Sequence, residues 1–256
     1  MSDANALAQE TPPDLSIIVP ALDEADNVGP LVAEIQAAME GRVARYELIV
    51  VDDGSTDGTS DRLAELATTH PWIRVLRRLK AQGQSSAMRA GILAARGRAV
   101  GMLDADLQND PKDLPDMLDR LDREGVDLVQ GDRSRNRQDS FAKRQASVVG
   151  RTFRRMVLGD RVRDTGCSAR VMRADIAKRL PLEFKGMHRF IPAFSSRLGA
   201  KVVEHEVTHR PRAAGETKYG VGVLTRGAAG LMDLFAVRWM GKRLREIQAD
   251  EVDLRR

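Results

Sequence analysis

Short apolar runs alternate with helix-spaced stretches over the first half of the chain. Leu15–Pro20 (LSIIVP) reads as a buried strand, and Asn27–Glu40 follows with Val28, Leu31, Val32, Ile35 and Met39 on one face. Strands are predicted again at Tyr46–Val51, Trp72–Leu76, Ala99–Leu103 and Val126–Gln130, and helices at Gly58–Thr69, Gln84–Ala95 and Lys112–Arg123. Short connections between alternating strands and helices predict an α/β domain: a Rossmann-like, mostly parallel sheet with helices on both faces. Further on, helices are predicted over Phe141–Leu158, around Ile191, Phe194 and Leu198, and over Leu224–Ile247.

In such sheets, ligands bind beyond the carboxyl ends of the strands. Unusual polar segments fall there three times: Pro20-Ala21-Leu22-Asp23-Glu24, then Asp52-Asp53-Gly54-Ser55-Thr56-Asp57-Gly58, then Asp104-Ala105-Asp106-Leu107-Gln108. Period-2 geometry carried past the fourth strand sends Asp104 and Asp106 to the same side. Paired carboxylates repel unless a cation lies between them, and all-oxygen donors suit a hard divalent ion, Mg²⁺ or Mn²⁺. The plainer reading makes each segment a turn, with Asp57, Asp110 or Asp113 capping the next helix. No G-x-G-x-x-G follows the first strand, so the dinucleotide fingerprint is missing.

The net charge of +4 hides an asymmetry. Residues 1–130 hold 13 Lys and Arg against 23 Asp and Glu, a net −10; residues 131–256 hold 28 against 14, a net +14. An acidic half fit for a metal is joined to a basic half fit for anions. Nucleic acid is not expected as a partner, because no helix-turn-helix, finger or RNA-binding signature occurs. Cys167 is the only cysteine, which removes any internal disulfide and points to the cytoplasm. Residues 1–14 lack the basic start and apolar stretch of a secretory signal and read as a loose tail. No stretch of about 18 apolar residues is long enough to span a bilayer.

From Leu15 to Val221 the motifs resemble glycosyltransferase family 2, the inverting nucleotide-sugar enzymes of GT-A fold. IIVPALDE and VVDDGSTDGT are similar to the family's first two signatures. GQSSAMRAG before LDADLQNDP, with DTGCSARVM, GMHRFIP and HRPRAAGETKYG, resembles its polyprenyl-phosphate branch, which includes dolichol-phosphate mannose synthases. The resemblance implies that Pro20, Leu22 and Glu24 line the base and ribose pocket and that Asp52 contacts the nucleoside. It implies that Asp104, Asp106 and Gln108 hold the metal bridging the donor diphosphate. It also makes Asp106, Asp164, Arg133, Arg212 and Lys218 the expected catalytic set, with Asp164 near the acceptor phosphate. Arg212 and Lys218 would lie in a loop closing over the diphosphates. Two residues depart from the family pattern: Asp132 before Arg133, and Ala169 where an aromatic residue is expected.

A phosphomonoester acceptor is mostly dianionic at neutral pH and needs cations rather than a general base. Arg144, Arg151, Arg154 and Arg155 on the Phe141–Leu158 helix are candidates for holding it, with a solvated basic face as the plainer reading. His188 could touch donor or acceptor, or be a hydrogen-bonded structural residue. Cys167 reads as a packed residue rather than a nucleophile.

In the terminal helix, Leu224, Ala228, Leu231, Phe235 and Trp239 recur at helical spacing beside Arg226, Arg238, Lys242, Arg243 and Arg245. This pattern suits an interfacial helix on a membrane, and equally one packed on the domain or against another copy. The expected organisation is a tail (1–14), a glycosyltransferase domain (15–221) and an amphipathic end (222–256). The expected protein transfers one sugar from a nucleoside diphosphate to a polyprenyl phosphate. It would be peripheral on the inner face of the cell membrane, docked on lipid or on a membrane subunit, and open to self-association. The rival readings are a soluble transferase with a hydroxyl acceptor and a non-catalytic nucleotide-sugar binding module.

Overall fold

The computed structural model describes residues 11–134, 152–211 and 223–245, the last segment in its side chains from residue 230. The chain runs β1 (Leu15–Ala21), α1 (Ala25–Met39), β2 (Tyr46–Asp52), α2 (Thr59–Thr69), β3 (Ile73–Arg77), α3 (Gln84–Ala94), β4 (Ala99–Met102), α4 (Asp113–Glu124) and β5 (Leu128–Asp132). Residues 152–158 are helical (α5). Then come β6 (Arg170–Arg173), α6 (Ala174–Lys178), a 3₁₀ turn at Met187–Phe190, α7 (Ile191–Arg197), β7 (Val202–Glu206) and α8 (Val223–Arg243).

Seven strands form one sheet in the order β3-β2-β1-β4-β6-β5-β7. Every pairing is parallel except those of β6, which lies antiparallel between β4 and β5. Nothing in the alternation of the first half announces β6. Its four residues, RVMR, are too short to carry a periodic signal. β5 begins two residues later than the pattern predicts, at Leu128 rather than Val126.

The strands are apolar on both sides because both faces are covered. Ile17 and Val19 of β1 and Leu48 and Val50 of β2 join Leu31 and Ile35 of α1 and Leu114, Met117 and Leu121 of α4 in one core. Ile18, Ile49 and Val51 face the other way, onto Met88 and Ile92 of α3, Phe190, and Leu234 and Val237 of α8. Each fully buried Ile or Leu contributes about 2 kcal/mol, and the alternation along β1 and β2 fixes their register.

On α8, Leu234 and Val237 pack on the domain, while Leu231, Phe235 and Trp239 of the predicted stripe do not; the side chains of Leu224 and Ala228 lie outside the described residues. Leu231, Met232, Phe235 and Trp239 are 47%, 74%, 56% and 60% exposed. The helix is therefore apolar on two sides. Among the described residues, no helix is long and apolar enough to cross a membrane.

Candidate active site

At the carboxyl rim, the loops after β1 and β2 are laced into each other. Asp23 N donates to Ser55 Oγ at 2.8 Å, and Thr56 N returns to Asp23 Oδ1 at 2.7 Å. Asp57 serves both following helices: Thr59 N donates to its Oδ1 at 3.0 Å and Ala25 N to its Oδ2 at 3.1 Å. The N-cap of α2 is Gly58 rather than the suggested Asp57, which instead ties the starts of α1 and α2 together from just outside the helix. Asp52, fully buried, accepts from Ser55 N at 2.9 Å and from the Ser60 hydroxyl. Pro20 is buried in β1, Leu22 is half-buried, and Glu24 Oε2 accepts Asn27 Nδ2.

Asp53, which no motif singles out, is the anchor of the next loop. It pairs with Arg78 at 2.8 Å and accepts Gln82 N and Gly83 N. That loop presses so closely on Gly54 (φ +86°) that a Cβ there would stand 2.9 Å from Ala81 N. Glycine is required at this position on both counts.

β4 ends at Met102, so Asp104 and Asp106 lie not on a strand but in the turn beyond it. Their approach to each other comes from that turn, in which Leu107 adopts φ +61°, rather than from strand periodicity. A leucine in this conformation is strained and persists only because its surroundings impose it. Asp104 is half-buried; its Oδ1 accepts Gln84 Nε2 at 2.7 Å, and the Ser168 hydroxyl nearby favours its charged form. Burial pushes the Asp104 carboxyl up and the adjacent Asp106 charge pushes it further, against the pull of Ser168, Arg170 and Arg133. Asp106 Oδ1 accepts Gln108 N at 3.2 Å, and Gln108 itself is half-exposed.

Among the described residues, no group of three or more His, Cys, Asp or Glu forms a metal cage. Two repelling carboxylates and an amide oxygen, partly open to solvent, nonetheless suit a hard cation that takes its remaining oxygens from water or a diphosphate.

A second network stands beside this turn. Arg133 forks Asp164 through Nε–Oδ2 at 2.8 Å and Nη2–Oδ1 at 3.2 Å, with both side chains largely buried. Burial works against the charge on Arg133, but the Asp164 carboxylate overrides it and raises the pKa. Gln130, on β5, donates to the carbonyls of Asp164 and Cys167. The segment passes so near β5 that a Cβ on Gly131 would meet Ala169 O at 2.7 Å. Gly131 is the residue before Asp132-Arg133, so its lack of a side chain lets the two motifs touch. Burial pushes the Cys167 thiol to about 11, so it stays protonated at neutral pH, as expected of a packing residue.

His188 is held by Ser85: its Nδ1 lies 2.8 Å from Ser85 Oγ, and its backbone N donates to the same oxygen at 3.2 Å. Burial, with Arg170 and Arg189 nearby, lowers its pKa to about 4. It is neutral at physiological pH and could contact a phosphate only by a hydrogen bond, not by charge.

Of the arginines proposed for the acceptor, Arg154 is spent within the fold. It pairs with Asp160 at 3.0 Å and donates to Thr165 Oγ1 and Val162 O. Arg155 donates to Arg161 O. Arg144, Arg151, Arg212 and Lys218 lie outside the described residues. The chain leading to the latter two is tied to the acid turn: Arg210 N donates to Gln108 O at 2.8 Å, and its guanidinium pairs with Asp110 and with Glu34.

Residues 16–180 match the family model of Glycosyl transferase family 2. The chain belongs to glycosyl transferase family 2. Over 231 residues it is 39% identical to the dodecaprenyl-phosphate galacturonate synthase of Rhizobium johnstonii, covering 88% of this chain and 66% of that protein. It is 34% identical over 209 residues to the undecaprenyl-phosphate 4-deoxy-4-formamido-L-arabinose transferase of Edwardsiella ictaluri, covering 81% and 63%. The chain thus spans just under two thirds of the length of these curated relatives. Among solved structures, a mannosyltransferase of Pyrobaculum calidifontis in complex with GDP-Man and Mn²⁺ superposes with a TM-score of 0.63 at 19% identity, over 93% of this chain and 67% of that one. Glucosyl-3-phosphoglycerate synthase of Mycobacterium tuberculosis, with Mn²⁺, UDP and glucosyl-3-phosphoglycerate, gives 0.61 at 22%, over 91% and 81%. The α/β fold of this glycosyl transferase family 2 chain is the GT-A fold.

Proposed function

We propose that this family 2 chain transfers a single sugar, with inversion, from a nucleoside diphosphate to a polyprenyl phosphate at the cytoplasmic membrane face. The observation that carries the reading is the Asp104/Asp106 turn, with Asp106 buried and Asp104 partly open to solvent, standing beside the Arg133–Asp164 pair. It is supported by relatives named for dodecaprenyl and undecaprenyl phosphate.

Asp104, Asp106 and Gln108 would hold Mg²⁺ or Mn²⁺, which supplies positive charge to the departing diphosphate. Pro20, Leu22, Glu24 and the Asp52 loop form the nucleoside side of the rim. As the anomeric carbon–oxygen bond to the diphosphate breaks, a phosphate oxygen of the acceptor forms the new bond to that carbon. No proton needs removing, because the acceptor is already dianionic. The rim fits this requirement: Asp164 is engaged by Arg133 and His188 by Ser85, so neither stands ready as a general base for a hydroxyl acceptor. Arg212 and Lys218 would add charge to the leaving diphosphate from the segment that Arg210 anchors.

The exposed stripe of α8 would place the enzyme on the bilayer, with residues 15–221 as the catalytic domain and the following segment as its membrane contact. Leu231, Met232, Phe235 and Trp239 continue onto α5, where Phe153 stacks edge-on with Phe235 and Met156 is exposed. Exposed Lys242, Arg243 and Arg245 border the stripe, and the acid of the same stretch, Asp233, is paired with Arg189. An apolar face edged by cations suits anionic lipid.

The test is incubation with a panel of UDP- and GDP-sugars, Mg²⁺ or Mn²⁺, and undecaprenyl phosphate in detergent. A lipid-linked monosaccharide is expected, lost on chelation and reduced at least about 10³-fold in Asp106→Asn. Full turnover in that variant at saturating donor overturns the metal site. Transfer to a water-soluble saccharide without lipid, or donor binding with neither transfer nor hydrolysis, overturns the reaction.

A further inference from the structure

Arg170 is 2% exposed, yet it forms no ion pair with any described residue. Its guanidinium is spent on three carbonyls instead: Nε donates to Ser168 O at 3.2 Å, Nη2 to Cys167 O, and Nη1 to His188 O at 3.4 Å. Burying a cation is costly, and an apolar residue of the same size would fill the space without that cost. The useful question is what these three bonds hold in place.

They join two segments that are far apart in sequence, and both lead to Asp104. Ser168 Oγ accepts Nδ2 of Asn109, five residues on from Asp104, at 2.7 Å, and lies near enough to the Asp104 carboxyl to favour its charge. His188 is bound to Ser85, whose neighbour Gln84 donates Nε2 to Asp104 Oδ1. Arg170 also opens β6 opposite Met102, the last residue of β4, so it is fixed to the strand from which the acid turn departs. We propose that Arg170 is a positioning residue of the cation site, setting the Asp104 carboxylate through Ser168 on one side and through His188, Ser85 and Gln84 on the other. This rests on Asp104 and Asp106 holding the cation.

Lysine would keep the charge but could not reach three carbonyls from a planar fork. The experiment is Mn²⁺ binding to the protein, followed by electron paramagnetic resonance with UDP or GDP present, in wild type, Asp106→Asn, Arg170→Lys, Ser168→Ala and the double variant. Loss of partners that orient a metal ligand costs about 10- to 100-fold in metal affinity. Arg170→Lys and Ser168→Ala are each expected to weaken Mn²⁺ by about tenfold, and the double variant by less than the product, because both act through one carboxylate. Donor KM measured at saturating Mn²⁺ should move much less than the metal affinity. Unchanged Mn²⁺ affinity in either single variant, or fully multiplicative losses in the double, overturns the proposal. If Arg170→Lys does not fold, Arg170→Gln, which keeps an amide donor for these carbonyls, takes its place, with the same loss of Mn²⁺ affinity expected and an unchanged affinity overturning the proposal. If Asp106→Asn binds Mn²⁺ like wild type, it is the metal reading that fails, and the two failures are told apart.

Discussion

The loops after β1 and β2 and the turn after β4 all carry aspartates at one rim, but they use them in opposite ways. In the first two loops Asp23, Asp52, Asp53 and Asp57 accept backbone N–H groups and side-chain donors of their own neighbourhood, so these carboxylates shape the loops. In the β4 turn Asp106 also accepts a backbone N–H, but Asp104, half-buried, takes the Gln84 side chain and is raised by burial and by Asp106 beside it. The number of acids at a rim therefore says little about where a cation goes. What decides is which carboxylates remain in mutual repulsion after the backbone has been satisfied. The basic half repeats the contrast: Arg133, Arg154 and Arg170 are interior struts, while Lys242, Arg243 and Arg245 at the end of α8 lie on the surface.

The sharpest test of the strut reading is Arg133→Met. It leaves Asp164 buried without its guanidinium, at a cost of about 3–5 kcal/mol and a fall in Tm of roughly 10 °C. Arg133→Met/Asp164→Asn should recover part of that loss in a thermal melt. An unchanged Tm in the single variant would place Arg133 with the surface cations instead.

The surface half of the contrast predicts a different phenotype. Phe235→Ser/Trp239→Ser should abolish co-sedimentation with vesicles containing anionic phospholipid and leave Tm within about 2 °C of wild type, since both side chains are more than half exposed and lie outside the core. Binding retained by the double variant would assign the stripe to a protein partner, a membrane subunit or a second copy.

The smallest effect is expected at Asp113, whose carboxyl is raised to about 6 by burial and by Asp110 and Asp116, against the Thr208 N–H that it accepts. A carboxyl that is easier to protonate in the folded state opposes folding once ionised, so stability should fall as pH rises through 6. With solvent screening at this half-exposed site, the penalty is about 1 kcal/mol above pH 7. Asp113→Asn keeps the acceptor for Thr208 and should raise Tm by about 3 °C at pH 8, with no gain at pH 4.

Much of the fold could be read from the chain because its strands are buried on both faces and its helices on one. The alternation from Leu15 to Gln130 has no other economical explanation. β6 escaped because four residues carry no period, and α8 because a helix with two apolar sides hides which one packs. At the site, the motif order pointed to Asp104, Asp106, Asp164 and Arg133, which the structure places side by side as an acid turn and an ion pair. Asp52 is nearby but already bonded within its loop. Asp53, Gln84, Ser168 and Arg170 were not picked out, since each acts through a partner distant in sequence. A lone arginine in the run Ala169-Arg170-Val171-Met172 was the one available hint, as an uncompensated charge in an apolar stretch.

The antiparallel strand also bears on how the molecule is made. β5 does not pair with β4; β6 fills the slot between them, and it is translated some forty residues after β5 emerges. Until then the β4 edge has no neighbour on that side, and the nascent intermediate exposes an unpaired backbone row prone to sticking to other chains. Closure of the sheet is thus a late, long-range event, and a ribosome stalled before residue 173 would hold a half-built domain in need of a chaperone.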